Sequence, residues 1–159
     1  LVIEPCDLAA LIDEVLAECE AWLAARRIEV IREFAPLPAV PGDPARLGQV
    51  IRNLVSNAIK FSPEGSTVRL SLAPDGDAVE LSVSDQGVGI PEGELEAVFN
   101  PFVQSSATRT GAGGTGLGLA ICREIVCAHR GTICARNNAG GGADFVLRLP
   151  LSEAGEEEN

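Results

Sequence analysis

Apolar residues recur along this chain with two different periods, and the changes between them mark out its elements. Behind Asp7, the positions Leu8, Leu11, Ile12, Val15, Leu16, Cys19 and Leu23 lie at helical spacing, the pattern of a capped amphipathic helix. IEVIREF, from Ile28 to Phe34, has strand character. APLPAVPGDP (35–44) is punctuated by prolines and reads as a loop, with Asp43 placed to start a second helix over Pro44–Phe61. That helix stops at the turn Ser62-Pro63-Glu64-Gly65. Val68, Leu70 and Leu72, then Val79, Leu81 and Val83, alternate with other residues, which predicts two strands joined by the turn Pro74-Asp75-Gly76-Asp77. A short helix is expected near Glu92–Phe99. The Ser-, Thr- and Gly-rich stretch 100–114 shows little periodicity and is longer than ordinary connections, which marks it as a functional or a disordered loop. A helix over Gly116–His129 and strands near Thr132–Arg136 and Ala143–Leu149 follow. The order predicts one α/β two-layer sandwich, with helices on one face of a mixed sheet.

Composition narrows the setting. The 159 residues suit one domain with its own core. We expect a linker at 1–5, the domain at 6–151, and an unfolded acidic tail at 152–159, SEAGEEEN. A formal charge of −11 excludes a sequence-independent nucleic-acid binder, which needs a basic face. Any polyanionic ligand must find a locally positive site on a repulsive background. The five cysteines, Cys6, Cys19, Cys122, Cys127 and Cys134, form no CxxC pair, and there is one histidine. Neither a disulfide framework nor a structural zinc site fits, and buried reduced thiols of a cytoplasmic protein are expected. No apolar run reaches the ~18 residues of a membrane span, so no membrane contact by this segment is expected. With no methionine even at position 1, the sequence reads as a fragment of something larger.

Three stretches carry candidate chemistry. In NLVSNAIKF (53–61), Asn53 and Asn57 stand four apart and precede Lys60, the one lysine beside eleven arginines. On a helix, Gln49, Asn53, Asn57 and Lys60 share a narrow stripe opposite Leu47, Val50, Ile51, Leu54, Val55 and Ala58. Such a stripe is either an ordinary solvated face or a cation site. Neutral amide oxygens suit Mg²⁺ already balanced by phosphate, and a lysine one turn on can reach a terminal phosphate as a point charge. Asp85 continues the inward row of Val79, Leu81 and Val83, so its carboxylate needs a donor in the interior. It either caps its own turn or meets a ligand such as an adenine amino group, with Gly87 and Gly89 permitting close approach.

The third stretch, TGAGGTGLGLAI (110–121), contains a literal GxGxxG at Gly111, Gly113 and Gly116. A dinucleotide fold is excluded, because no buried strand precedes it and no acid follows about 20 residues on. Gly114, Gly116 and Gly118 instead open an apolar helix (Leu117, Leu119, Ile121, Ile125), where free N–H groups attract phosphate; flexible loop filler is the plainer alternative.

In order, NLVSNAIKF, DQGVGI, FNPF and GGTGLGLAI resemble the N, G1, F and G2 boxes of the catalytic ATP-binding domain of bacterial sensor histidine kinases. The resemblance runs from about Cys6 to Leu149. It implies a Bergerat-type fold, a mixed sheet with about three helices on one face and an ATP lid, as in gyrase-type topoisomerases and heat-shock chaperones. It implies ATP and Mg²⁺ as cofactors. Asn57 would be the Mg²⁺ ligand with Asn53 assisting, and Lys60 would contact phosphate. Phe61 would lie against the nucleoside and Asp85 would take the adenine amino group, with Gly87, Gly89 and Ile90 bordering the base. Phe99 and Phe102 would anchor the lid, and Arg109 would reach the phosphates. Gly114, Thr115, Gly116, Leu117, Gly118 and Leu119 would cradle them. His129 is expected to serve the end of its helix.

The hydrolases of this superfamily resemble one another in a glutamate where Asn53 stands here. An amide cannot take a proton at neutral pH, so the resemblance favours phosphoryl transfer over hydrolysis. It implies an acceptor histidine on a separate dimerisation domain, a response regulator receiver domain as partner, and a homodimeric parent of the kind that can be membrane-anchored. The alternatives are an ATPase or serine kinase regulator of the same superfamily, and a nucleotide-binding module without transfer activity.

Overall fold

Helix boundaries follow local chemistry closely in the computed structural model, which describes residues 1–101 and 118–152. Strand β1 (Glu4–Cys6) precedes helix α1 (Leu8–Glu18), whose first turn is capped by the Asp7 carboxylate accepting from Ala10 N–H at 3.2 Å. The helix expected to continue to Leu23 breaks at Cys19, and α2 (Glu20–Ala25) is a separate short helix. Cys19 N–H is shared between the carbonyls of Val15 and Leu16, a tightened last turn of α1. None of the α2 residues is fully buried, so no continuous apolar stripe holds the two helices in line.

Strand β2 (Glu29–Phe34) is followed by β3 (Val40–Gly42), which pairs antiparallel with β1. This small second sheet occupies part of the stretch expected to be loop. Val40 and Cys6 anchor it in the core, 1% and 3% exposed. Helix α3 (Pro44–Phe61) then matches its predicted bounds. Asp43 accepts from Ala45 and Arg46 N–H, Pro44 occupies the first turn, and Ser62 closes the other end.

The main sheet has the order β2-β4-β5-β7-β6, with β4 (Thr67–Asp75), β5 (Ala78–Ser84), β6 (Thr132–Asn137) and β7 (Ala143–Pro150). Only β2–β4 is parallel; the other pairs are antiparallel. Val68, Leu70, Leu72, Val79, Leu81, Val83, Phe145, Leu147 and Leu149 form its inner face, covered by α1, α3 and α4 (Gly118–Ala128). The opposite face is mostly polar, with Ser71 bonded to Ser82 and Arg69 paired with Glu33. That division is the one antiparallel sheets adopt when a single layer of helices covers them.

The short helix expected at Glu92–Phe99 is two 3₁₀ turns, Glu92–Glu94 and Ala97–Phe99. Phe99 is buried and packs at right angles to Phe145, with ring centroids 6.2 Å apart, and the Arg123 guanidinium lies over the Phe99 ring at 4.6 Å. His129 sits just past α4. Its Nδ1 bonds the Ile125 carbonyl at 2.8 Å and its Nε2 accepts from Asp43 N–H at 3.0 Å, tying α4 to the start of α3.

The expectation of uniformly buried thiols needs correcting. Cys6, Cys19 and Cys122 are buried, but Cys127 and Cys134 are exposed. Cys134 belongs to the outer row of β6, paired with Val146.

Candidate nucleotide-binding site

Helix α3 brings the site together. Its apolar face is sunk in the core, which leaves Asn53, Asn57, Lys60 and Phe61 half-buried along the other side. Asn57 makes no side-chain hydrogen bond among the described residues, so its carbonyl oxygen is available. Every ion pair among the described residues uses an arginine. Lys60 therefore forms no ion pair among the described residues, and its Nζ lies 5.9 Å from the Phe61 ring centroid.

Asp85 lies directly past the end of β5 and is 6% exposed. One of its oxygens, Oδ1, accepts from Gly87 N–H at 2.9 Å and from Ala143 N–H at 3.1 Å. The other has no donor among the described residues. Burial pushes the Asp85 carboxyl above the ordinary carboxylate range, and the two backbone N–H groups only partly offset that cost. With Oδ1 held by the backbone, the second oxygen is the one that can accept from a further donor.

Two contacts join these pieces. A Cβ on Gly87 would lie 2.3 Å from the Phe61 carbonyl oxygen, so the loop after Asp85 rests on the last turn of α3, and only glycine permits it. At the other end, Asn53 donates through Nδ2 to the Gly118 carbonyl at 3.3 Å and to Cys122 Sγ at 3.6 Å. The N–H groups of Asn53 are thus committed to α4, and its oxygen remains. Cys122 faces the same contact fully buried, its thiol raised to about 11 by desolvation. Asn57 and Lys60 therefore lie between the Asp85 loop and the opening of α4, all bordering one helix face.

Of the other predicted residues, Gly89 stands in the Asp85 loop, Ile90 closes it with its side chain in the core, and Leu119 is half-buried in the first turn of α4. Phe102, Arg109, Gly114, Thr115, Gly116 and Leu117 lie outside the described residues, as does most of the expected lid.

The sequence reading assigned nothing to the β6–β7 hairpin, NNAGGG, which packs on the Asp85 loop. Asn137 accepts from Ile90 N–H at 2.8 Å and donates to Ile90 C=O at 2.6 Å, while Asn138 donates to Asp85 C=O at 3.1 Å. Two adjacent asparagines before a glycine run signal a turn, but not what that turn touches.

A five-stranded mixed sheet with its helices on one face is an α/β two-layer sandwich, and here an acid-and-glycine loop and an amide stripe border the same covering helix. Residues 42–153 match the family described as histidine kinase-, DNA gyrase B-, and HSP90-like ATPase, and the chain belongs to that family. Adaptive-response sensory kinase SasA of Prochlorococcus marinus is 37% identical over 150 residues, covering 93% of this chain and 39% of that protein. The chain thus corresponds to only part of that relative.

Among solved structures, the nucleotide-free catalytic domain of histidine kinase ThkA superposes with a TM-score of 0.85 at 31% identity, over 95% of this chain and 99% of that one. Full-length ShkA in complex with AMPPNP gives 0.83 at 32% identity, over 97% and 32% of the two chains. ThkA in complex with response regulator protein TrrA gives 0.81 at 30% identity, over 94% and 42%. The expected fold class is the observed one, and the family is one of nucleotide-binding domains.

Proposed function

We propose that this domain binds MgATP in the cleft between Asp85 and the α3 stripe and presents the γ-phosphoryl group to a histidine on a separate dimerisation domain. The observation that carries the reading is an oxygen of Asp85 with no partner among the described residues, beside a helix whose Asn57 and Lys60 also lack side-chain partners among them. Asp85 accepts from the adenine amino group, and Gly87 and Gly89 let the base lie close against the loop. Phe61 borders the nucleoside. Lys60 approaches the terminal phosphates as a point charge, joined by Arg109, and the glycines at the start of α4 supply backbone N–H groups to them.

Asn57, assisted by the free oxygen of Asn53, fits magnesium, because neutral amide oxygens suit a cation already carrying phosphate charge. When bound, the metal neutralises charge developing on the transferred group. Nothing on the stripe can accept a proton from water: Asn53 is an amide whose N–H groups hold α4. The residues of the stripe therefore orient and neutralise but do not activate water, which favours transfer over hydrolysis.

By the same reading the parent is a homodimeric sensor kinase whose catalytic part works in the cytoplasm and passes phosphate on to a response regulator receiver domain. Among the described residues no helix is long and apolar enough to cross a membrane. The test is to mix the domain with a matched helical acceptor domain and MgATP. Acid-labile phosphohistidine on the acceptor, abolished by Asn57→Ala, is the expected result. Sustained phosphate release with no acceptor present would favour the ATPase branch of the family, and nucleotide binding without either reaction a regulatory module.

A further inference from the structure

We infer that Asn137 is a positioning residue for nucleotide selection: its side-chain amide clamps the far end of the Asp85 loop and so aims the Asp85 carboxylate. The inference rests on the nucleotide reading of the cleft. A loop containing Gly87 and Gly89 has little intrinsic preference for one shape, so its geometry must be imposed from outside. The β6–β7 hairpin imposes it at both ends. At the near end, Ala143 C=O accepts from Asp85 N–H at 2.9 Å, and Ala143 N–H donates to Asp85 Oδ1 at 3.1 Å. Gly142, at φ +94°, presses so closely that a Cβ there would lie 2.0 Å from the Asp85 carbonyl oxygen.

At the far end, Asn137 holds Ile90 through both backbone groups, as a neighbouring strand would. The two ends act together, because Asn137 and Ala143 are partners in the β6–β7 ladder. Displacement of Ile90 changes the tension on Gly87, whose N–H is the second donor to Asp85 Oδ1. Asn137 itself is exposed. Removing its amide therefore opens no core cavity, and a selective effect on the loop can be separated from unfolding.

The test has an arm without ligand and an arm with it. In the nucleotide-free protein, Asn137→Ala should accelerate amide hydrogen exchange at Gly87 and Ile90 while leaving α1 and β4 unchanged. With nucleotide, the protein is titrated with MgATP and MgGTP. Loss of an aligned hydrogen-bond acceptor should weaken ATP binding by about tenfold and GTP binding much less, so the ATP-to-GTP ratio falls. In an Asp85→Asn background the same substitution should add almost nothing, because the group it aims is gone. Ile12→Val, a core change in α1, should lower the melting temperature without moving the ratio.

Unchanged exchange at Gly87 in Asn137→Ala would overturn the inference whether or not nucleotide binds. So would equal losses for ATP and GTP, or losses that simply add to those of Asp85→Asn. Exchange that accelerates as expected in a protein binding neither nucleotide would sink the proposed function and the selection role with it, leaving only a structural clamp.

Discussion

Replacing Asp85 by asparagine should weaken nucleotide binding while leaving the fold as stable as before, or more so. The carboxylate is 6% exposed, with one oxygen held by Gly87 and Ala143 N–H groups at 2.9 and 3.1 Å. Asparagine must turn its carbonyl oxygen toward those two donors, because the flipped amide would set N–H against N–H. Its NH₂ group then faces the position of the adenine amino group, a donor opposite a donor. The loss is that of a hydrogen bond to a charged acceptor, about 1.5–3 kcal/mol, or roughly a 10- to 150-fold rise in Kd for ATP.

Stability moves the other way. Burial raises the folded-state pKa of Asp85 above its unfolded value, so the favourable contribution is fully present below the unfolded pKa and is lost as pH rises through the folded pKa. At mildly alkaline pH the wild-type protein carries the cost of a buried charge and Asp85→Asn does not. Its melting temperature should equal or exceed that of wild type there, with the gap closing as pH falls through the raised pKa. Titration calorimetry and thermal melts across pH measure both. An Asp85→Asn protein that binds ATP within a factor of about two of wild type would refute the assignment of the carboxylate to the base. One that melts lower only at alkaline pH would refute the desolvation argument.

Other substitutions probe the frame around the site. Gly87→Ala places a Cβ against the Phe61 carbonyl and should cost about 1–3 kcal/mol in denaturant unfolding while also weakening ATP binding. Arg130 follows α4 at φ 63°, where a side chain is strained, so Arg130→Gly should stabilise the domain by about 1 kcal/mol with nucleotide affinity unchanged. His129→Ala removes the acceptor of Asp43 N–H at the start of α3 and should destabilise by about 1–3 kcal/mol. A stability loss under about half a kcal/mol would show that this tie is not needed to hold α4 against α3.

Elements with strong local signals were legible before any coordinates. Asp43 and Pro44 start α3 and Ser62-Pro63 ends it, so its bounds follow from capping chemistry. The alternation in β4 and β5 likewise fixed which residues face the core, and with them the inward direction of Asp85. The β1–β3 pair was hidden because three-residue strands containing proline carry no period, and their partners are remote in sequence. The break at Cys19 depends on how the last turn of α1 tightens, which periodicity does not record.

Asn53 was legible only as a polar group on a stripe. That its N–H groups hold the start of α4 is a contact across 65 residues of sequence. Asn137 was missed for the same reason, since its partner Ile90 stands 47 residues away and no spacing rule connects a hairpin turn to a loop after another strand.

The account depends most on a single cleft shared by Asp85 and the α3 stripe. A crystal structure of the domain with a non-hydrolysable ATP analogue and Mg²⁺ tests it most directly. The account predicts the adenine amino group at hydrogen-bonding distance from the free Asp85 oxygen, and the Asn57 amide oxygen bound to the metal in the same molecule. A base seated elsewhere, or a metal held without Asn57, would contradict it.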